Sequence, residues 1–478
     1  MSTLVWLRGD LRLNDQPALQ FAVARGQPVI PVFVLEPAAP WSPGAASRVW
    51  LHDALAALGQ AFEARGSRLL LGVGPPEVVL AELAAATGAT ALSFNARVEP
   101  AGRACDARVE RALGARLTVR VFNGSLLLDP ARVATGSGTP YRVFTPFWRQ
   151  VRALLGNAEP AVLPAPTRLL APAVWPATPS LETLALLPQV RWDLPLRAHW
   201  PASEAAAHAA MARFLDTAIE GYPTARDLPA SAGVSRLSPY LHLGQLSPQQ
   251  VWREVHLRAA GDGRMAPSAA ALSWLRQLAW REFAQHLLWH FPATAQAPLR
   301  PEFDRFPWCE DGPGLRRWCR GQTGFPIVDA GLRELWQTGW MHNRVRMIVA
   351  SFLTKDLGLH WLEGARWFWD TLIDANLANN TLGWQWVAGC GADAAPYFRI
   401  FNPLTQSLKF DPQGEYLRRW LPELAGLSNA DLHAPAQAGP LSLLAAKVRL
   451  GQDYPAPMLD HGLARVAALA RLKASKRC

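Results

Sequence analysis

Four short apolar runs, at 4–7, 28–35, 68–73 and 91–94, alternate with stretches of helical pattern at 15–24, 49–65 and 77–87. Runs this short, apolar without polar alternation, read as strands buried on both faces. A βαβα order then requires crossover helices, so the first part of the chain is expected to be an α/β domain with a doubly wound parallel sheet. Sheets of this type bind nucleotide-like ligands at the carboxyl ends of their strands. Neither GxGxxG nor a Walker A sequence occurs, which removes the usual NAD and ATP readings.

The texture then changes twice. From about 127 to 199 the chain is rich in Pro, Ala and Leu with little periodicity and reads as a long connection across the surface. Beyond Pro201 apolar residues recur at helical spacing and β-type alternation largely disappears. The expected organisation is an α/β domain at 1–130, an interdomain linker at 131–199 and a large all-α domain at 200–478. A length of 478 residues fits more than one core.

Composition excludes several classes. Half of the residues are hydrophobic and 18% are charged, as in a compact globular protein. No apolar run reaches the ~18–20 residues that cross a bilayer. Arg8 interrupts the N-terminus too early for a signal peptide, so a cytoplasmic protein without membrane attachment is expected. Cys105, Cys309, Cys319, Cys390 and Cys478 show no CxxC spacing and the eleven histidines form no HExxH, so no metal is expected. Lys and Arg number 48 against 38 Asp and Glu, a net charge of +10 that suits a polyanionic partner. The 21 tryptophans exceed ordinary packing needs, and stacking or redox roles are expected for some.

Three stretches carry chemistry. In 273–283, Trp274, Gln277, Leu278 and Arg281 fall on one helical stripe, able to stack on a planar ring and bond its edge. In 340–347, read as a helix, Asn343, Arg346 and Met347 share a side and Arg344 turns away; this mix suits an unstacked base beside phosphates. Two arginines there otherwise require carboxylate partners. In 372–386 three asparagines and Asp374 read as a loop entering a helix, with amides for a heterocycle and Asp374 as the mate of Arg346.

The chain resembles the photolyase/cryptochrome family from end to end. The opening Val5-Trp6-Leu7-Arg8-Gly9-Asp10-Leu11-Arg12-Leu13-Asn14-Asp15 is close to the family's N-terminal motif. Ser235-Arg236-Leu237-Ser238-Pro239-Tyr240, Trp280-Arg281-Glu282-Phe283, residues 323–330, Gly383-Trp384-Gln385-Trp386 and residues 393–403 follow in family order. The ordered set is specific, and the likeness is greatest to microbial class I cyclobutane pyrimidine dimer photolyases.

The resemblance implies an N-terminal antenna-binding domain and a helical FAD domain. Tyr222, Ser235, Arg236, Leu237, Ser238 and Trp274 would hold FAD, with Arg346, Asp374, Ala375 and Asn376 near its ring system. Asn380 falls where the family places the residue facing flavin N5, where plant cryptochromes carry aspartate. Trp384, Trp361 and Trp308 match the three-tryptophan electron relay. Gln277, Trp280, Asn343, Arg344, Met347 and Trp386 would form the lesion pocket, with Arg226, Gln406 and Lys409 at phosphates or the lesion flank. The implied function is light-driven repair of UV-damaged DNA: reduced FAD lends an electron to the dimer, the ring opens and the electron returns. A monomer is implied.

The departures are equally specific. Gln277 stands where dimer photolyases usually carry a carboxylate, and Asn376 replaces an aspartate of the FAD loop. The (6-4) photolyases share the Gln but carry histidines where this chain has Asn343 and Met347. Ala101 and Gly102 replace the Asn-Glu pair of the folate-binding branch, which favours a deazaflavin or flavin antenna over folate. The alternatives are a cryptochrome-type photoreceptor, whose usual long C-terminal extension is not expected beyond the photolyase-like stretch 454–457, and a (6-4) photolyase.

Overall fold

The computed structural model describes residues 1–36, 41–156, 161–393 and 398–475. Part of the 393–403 motif (394–397), and Cys478, lie outside them. The chain divides into two compact units, the first comprising Met1–Glu220, Ser235–Pro292 and Ile373–Ala378, the second Gly221–Val234, Ala293–Leu372 and Asn379–Cys478.

The first unit contains the expected sheet. Strands β1 (Ser2–Leu7), β2 (Val29–Leu35), β3 (Leu70–Val73), β4 (Ala89–Asn95) and β5 (Thr118–Phe122) pair in the order β3-β2-β1-β4-β5. Every pairing is parallel, and Trp6 lies opposite both Val32 and Phe94. The intervening helices are α1 (Pro17–Ala24), α2 (Ala45–Glu63), α3 (Pro76–Thr87) and α4 (Pro100–Leu113). Leu4, Trp6, Ile30, Val32, Leu92 and Phe94 on one sheet face pack with Leu80, Leu83, Val109 and Leu113 of α3 and α4. β5 did not stand out as an apolar run because it is an edge strand whose Thr118, Arg120 and Val121 are exposed.

The strand order reverses around β1, whose neighbours are β2 and β4. The N-terminal motif follows β1 and proves to be a polar lock. Arg8 pairs with Asp106, Asn95 donates to Asp10 at 2.6 Å, and Gln16 donates to Asp10 at 2.9 Å. Arg12 is wholly buried and donates to the carbonyls of Asp15, Gly124 and Gly244. Glu204 accepts from the backbone of Leu13 at 2.8 Å and Asn14 at 2.9 Å. The guanidinium forks and carboxylates therefore satisfy backbone that would otherwise be orphaned.

The stretch read as structureless connection holds a helix, Phe144–Leu155. Its buried residues Phe144, Phe147, Trp148 and Val151 have regular helical spacing, which Pro146 and the Pro-rich surroundings obscured. Beyond 200 the chain is helical as expected. The first unit includes Glu204–Thr217, Pro248–Gly261 and Ala269–His290; the second includes Pro326–Thr338, Asn343–Ser351 and Trp361–Thr371. The helix expected at 340–347 begins only at Asn343, because His342 is its N-cap, accepting from Arg344 N at 3.2 Å. Among the described residues no helix is long and apolar enough to cross a membrane.

Candidate functional site

The second unit holds the tryptophan series. Trp384 and Trp361 are buried, at 2% and 1% exposure, whereas Trp308 is partly exposed. That gradient is what a path from an interior cofactor to solvent requires. Trp384 sits in a notch. A Cβ on Gly364 would lie 2.0 Å from its Cη2, and one turn further along the same helix Phe368 meets it edge-on at 5.0 Å. Trp318 closes the notch at 6.2 Å. The Trp384 Nε1 is buried with no partner among the described residues, which is costly unless a ligand or water satisfies it. At the outer end the Trp308 ring is 5.0 Å from His360, and His360 is 5.7 Å from Trp361.

Asn380 is oriented by its own fold. Its Nδ2 donates to the Ala365 carbonyl at 2.9 Å, which fixes the amide and leaves Oδ1 as an acceptor. Arg346 belongs to the same unit, with Nε donating to the Met341 carbonyl at 2.8 Å. Tyr222 is buried, which pushes its phenol pKa up, and Arg226 lies over its ring at 5.4 Å.

The remaining candidate FAD residues are in the first unit. Arg236 has φ +51°, a left-handed conformation that a non-glycine residue holds only at a cost of about 1 kcal/mol or more. The turn it makes places Ser235, Leu237 and Ser238 at the start of the Ser238–His242 helix. Ser238 Oγ donates to Asp374 at 2.6 Å, so two separate candidate segments meet. Asn376 accepts from Gln285 Nε2 at 3.0 Å, and Ala375 is buried beside it. Trp274 is buried against Phe214 at 5.0 Å.

The candidate lesion residues also divide. Gln277 and Trp280 share the Ala269–His290 helix of the first unit and are partly exposed. Among the described residues Gln277 makes only a long contact, 3.5 Å, to the Ser273 carbonyl. Trp280 stacks on Phe144 at 3.8 Å and 6°, so one ring face is already covered. In the second unit Asn343 Nδ2 lies 3.9 Å from Met347 Sδ, as the helical spacing implied. Arg344 donates to Asp227 at 2.8 Å, a carboxylate partner of the kind expected where an arginine on this helix does not meet a base or phosphate. Arg344 and Lys409 both lie over Phe410, at 4.3 and 5.2 Å. Gln406 is on the same Pro403–Phe410 helix, and Trp386 Nε1 donates to the Asp393 carbonyl at 3.0 Å.

Sequence reasoning missed several positions. Asp227, Phe410 and Phe144 are ordinary residue types, recognisable only through their partners. Glu282 was noticed only as part of a motif. It is buried, accepts from Leu127 N at 2.9 Å and from Arg281 at 3.0 Å, and its pKa is pushed up to about 7 by burial.

Comparison with known proteins decides the family. The description "DNA photolyase" matches residues 3–167, and "FAD binding domain of DNA photolyase" matches residues 274–474. A deoxyribodipyrimidine photo-lyase of Agrobacterium fabrum is 46% identical, covering 99% of this chain and 98% of that protein. The chain belongs to the photolyase/cryptochrome family. The corresponding enzyme of Escherichia coli is 39% identical over 99% of both chains. Cryptochrome-2 of Arabidopsis thaliana is 36% identical over 97% of this chain and 77% of its own.

Among solved structures, a bacterial class III photolyase from Agrobacterium tumefaciens superposes with TM-score 0.94 at 46% identity, covering 100% of this chain and 98% of that one. An archaeal photolyase from Sulfolobus tokodaii, solved with two FAD molecules, gives TM-score 0.81 at 25% identity, covering 99% and 100%. The motifs quoted above identified the family without separating class I from class III. As a photolyase-family chain it carries the FAD-binding domain, and within the second unit the buried Trp384 Nε1 and the oriented Asn380 fit such a cofactor.

Proposed function

We propose that this protein is a deoxyribodipyrimidine photolyase, a carbon–carbon lyase that repairs cyclobutane pyrimidine dimers in UV-damaged DNA under blue light. The observation that carries the reading is Asn380: with Nδ2 committed to the Ala365 carbonyl, Oδ1 is available to accept from N5–H of a reduced flavin. A carboxylate there would accept as well but would add a negative charge beside an anionic ring. When bound, reduced FAD would supply light-driven one-electron donation to the dimer.

The chain's own groups do the rest. Tyr222, the Ser235–Ser238 turn, Trp274, Arg346, Asp374, Ala375 and Asn376 bind and orient the cofactor. Trp280, on its face away from Phe144, and Trp386 stack on the flipped lesion, and Asn343 and Gln277 read its polar edges. Flipping costs a few kcal/mol, less for a dimer that already stacks poorly. Gln277 stabilises charge on the dimer by hydrogen bonding alone, since an amide supplies no proton. Arg226, Arg344, Gln406 and Lys409 meet phosphates. Trp308, Trp361 and Trp384 deliver electrons that keep the flavin reduced. Residues 1–130 form the antenna domain, 131–199 the linker and 200–478 the FAD and DNA domain of a cytoplasmic monomer.

The antenna is a deazaflavin or flavin in preference to folate. Supporting this, a Cβ at Gly102 would meet the Arg97 side chain at 2.6 Å, so the glutamate of the folate-binding pair could be accommodated there only with a shift of Arg97. The absorption of the purified protein after flavin extraction tests it: a pterin spectrum contradicts the assignment. The repair reading is tested by binding. Dimer-containing duplex should bind more tightly than undamaged duplex, and Trp280→Ala or Asn343→Ala should abolish the difference. Equal binding of both duplexes by the unaltered protein contradicts it and favours a cryptochrome-type photoreceptor.

A further inference from the structure

We infer that His360 is a positioning residue of the electron relay, its imidazole acting as the spacer that sets the Trp308 ring against Trp361. The inference rests on reading Trp384, Trp361 and Trp308 as that relay. One ring contacts both neighbours: His360 lies 5.0 Å from Trp308 at 62° and 5.7 Å from Trp361 at 29°. Two constraints hold it there. As the N-cap of the Trp361–Thr371 helix, its Nδ1 accepts the Leu362 N–H at 3.1 Å. The backbone just before it is tied to the segment bearing Trp308, with Leu359 bridged to Cys309 and Cys309 N donating to the Gly358 carbonyl at 2.8 Å. The spacer and the third tryptophan are thus fastened to each other.

The capping bond also sets the charge. An Nδ1 that accepts an N–H carries no proton, so the proton of the neutral ring is on Nε2. A neutral ring at this place matters, because positive charge moving outward to Trp308 would be repelled by an imidazolium between the two indoles. Burial favours the same state by pushing the His360 pKa below its usual value; Glu363 opposes and Arg366 assists this. From the Trp308 segment the nearby group is Cys309, whose Sγ accepts from Arg471 at 3.7 Å. In the step concerned, one electron passes from Trp308 to oxidised Trp361. The electron lost from Trp308 is replaced by an external thiol reductant.

The test uses full-length protein loaded with oxidised flavin, illuminated with a thiol, and follows loss of the flavin's blue absorption band. Flavin content and melting temperature are measured for each variant. His360→Asn keeps a capping acceptor but removes the ring; His360→Phe keeps a ring but removes the acceptor. The expected result is that His360→Asn melts near the unaltered protein but photoreduces severalfold more slowly. His360→Phe should melt lower yet photoreduce nearly normally. Normal photoreduction by His360→Asn, or equal slowing of both variants, overturns the inference. Trp308→Phe separates the two levels. If it photoreduces normally, the relay reading falls and the spacer with it; if it is slow while His360→Asn is normal, only the spacer role falls.

Discussion

At the scale of single residues, most of what distinguishes this chain lies in atoms that side-chain identity does not reveal. Asn380 is informative because Ala365 takes its amide nitrogen, and Trp384 because Gly364 admits its ring. Gly364→Ala would place a methyl 2.0 Å from Cη2. We expect a stability loss of about 1–3 kcal/mol from overpacking, together with a severalfold slower photoreduction as Trp384 shifts. Thermal melting and illumination of the oxidised protein check both. A slower rate without a melting change would mean that the glycine acts other than by steric fit. The tryptophans were legible through the family pattern, but the glycine was not, since its requirement arises from a ring 20 positions away.

At the scale of elements, the family motifs separate into those that can touch ligands and those that hold the fold. The N-terminal motif locks β1 to its surroundings through Arg8, Asp10 and Arg12. In residues 323–329, Asp329 accepts from Thr323 N at 2.7 Å, Gly324 N at 2.9 Å and Tyr454 Oη at 2.7 Å. Gly324 has φ +80°, and a Cβ there would meet Pro457 N at 2.4 Å. These motifs were recognisable as sequence, yet their structural character was not, because their partners are distant in the chain. Strands and long helices were legible from apolar periodicity; β5 and the Phe144–Leu155 helix were not, owing to edge exposure and proline.

Glu282 gives a prediction at this scale. Its pKa is raised to about 7 in the fold, above the usual carboxylate value. Between the two values the unfolded chain has released a proton that the folded chain keeps. Stability therefore falls as pH rises from about 4.5 to about 7, by roughly 3–3.5 kcal/mol, and is flat above. Melting of Glu282→Gln should lose that part of the pH dependence. An unchanged profile in the variant would show that Glu282 is ionised throughout.

At the scale of the whole molecule, the net charge of +10 on 478 residues is modest, and the exposed Lys409 adds a cation over the Phe410 ring, which Arg344 also contacts. If Lys409 meets a phosphate, Lys409→Ala should weaken damaged and undamaged DNA alike. It should also reduce the slope of log affinity against log salt by about 1. A loss confined to damaged DNA would assign Lys409 to the lesion instead.

Light-driven dimer repair here depends on a site with Gln277 in place of a carboxylate. The most direct test is to photoreduce the purified protein, add an oligonucleotide bearing a thymine cyclobutane dimer, and follow ultraviolet absorbance under blue light. Absorbance should return only in the light, and Asn343→Ala or Trp280→Ala should abolish the return. A flavin that photoreduces normally while the dimer persists would contradict it.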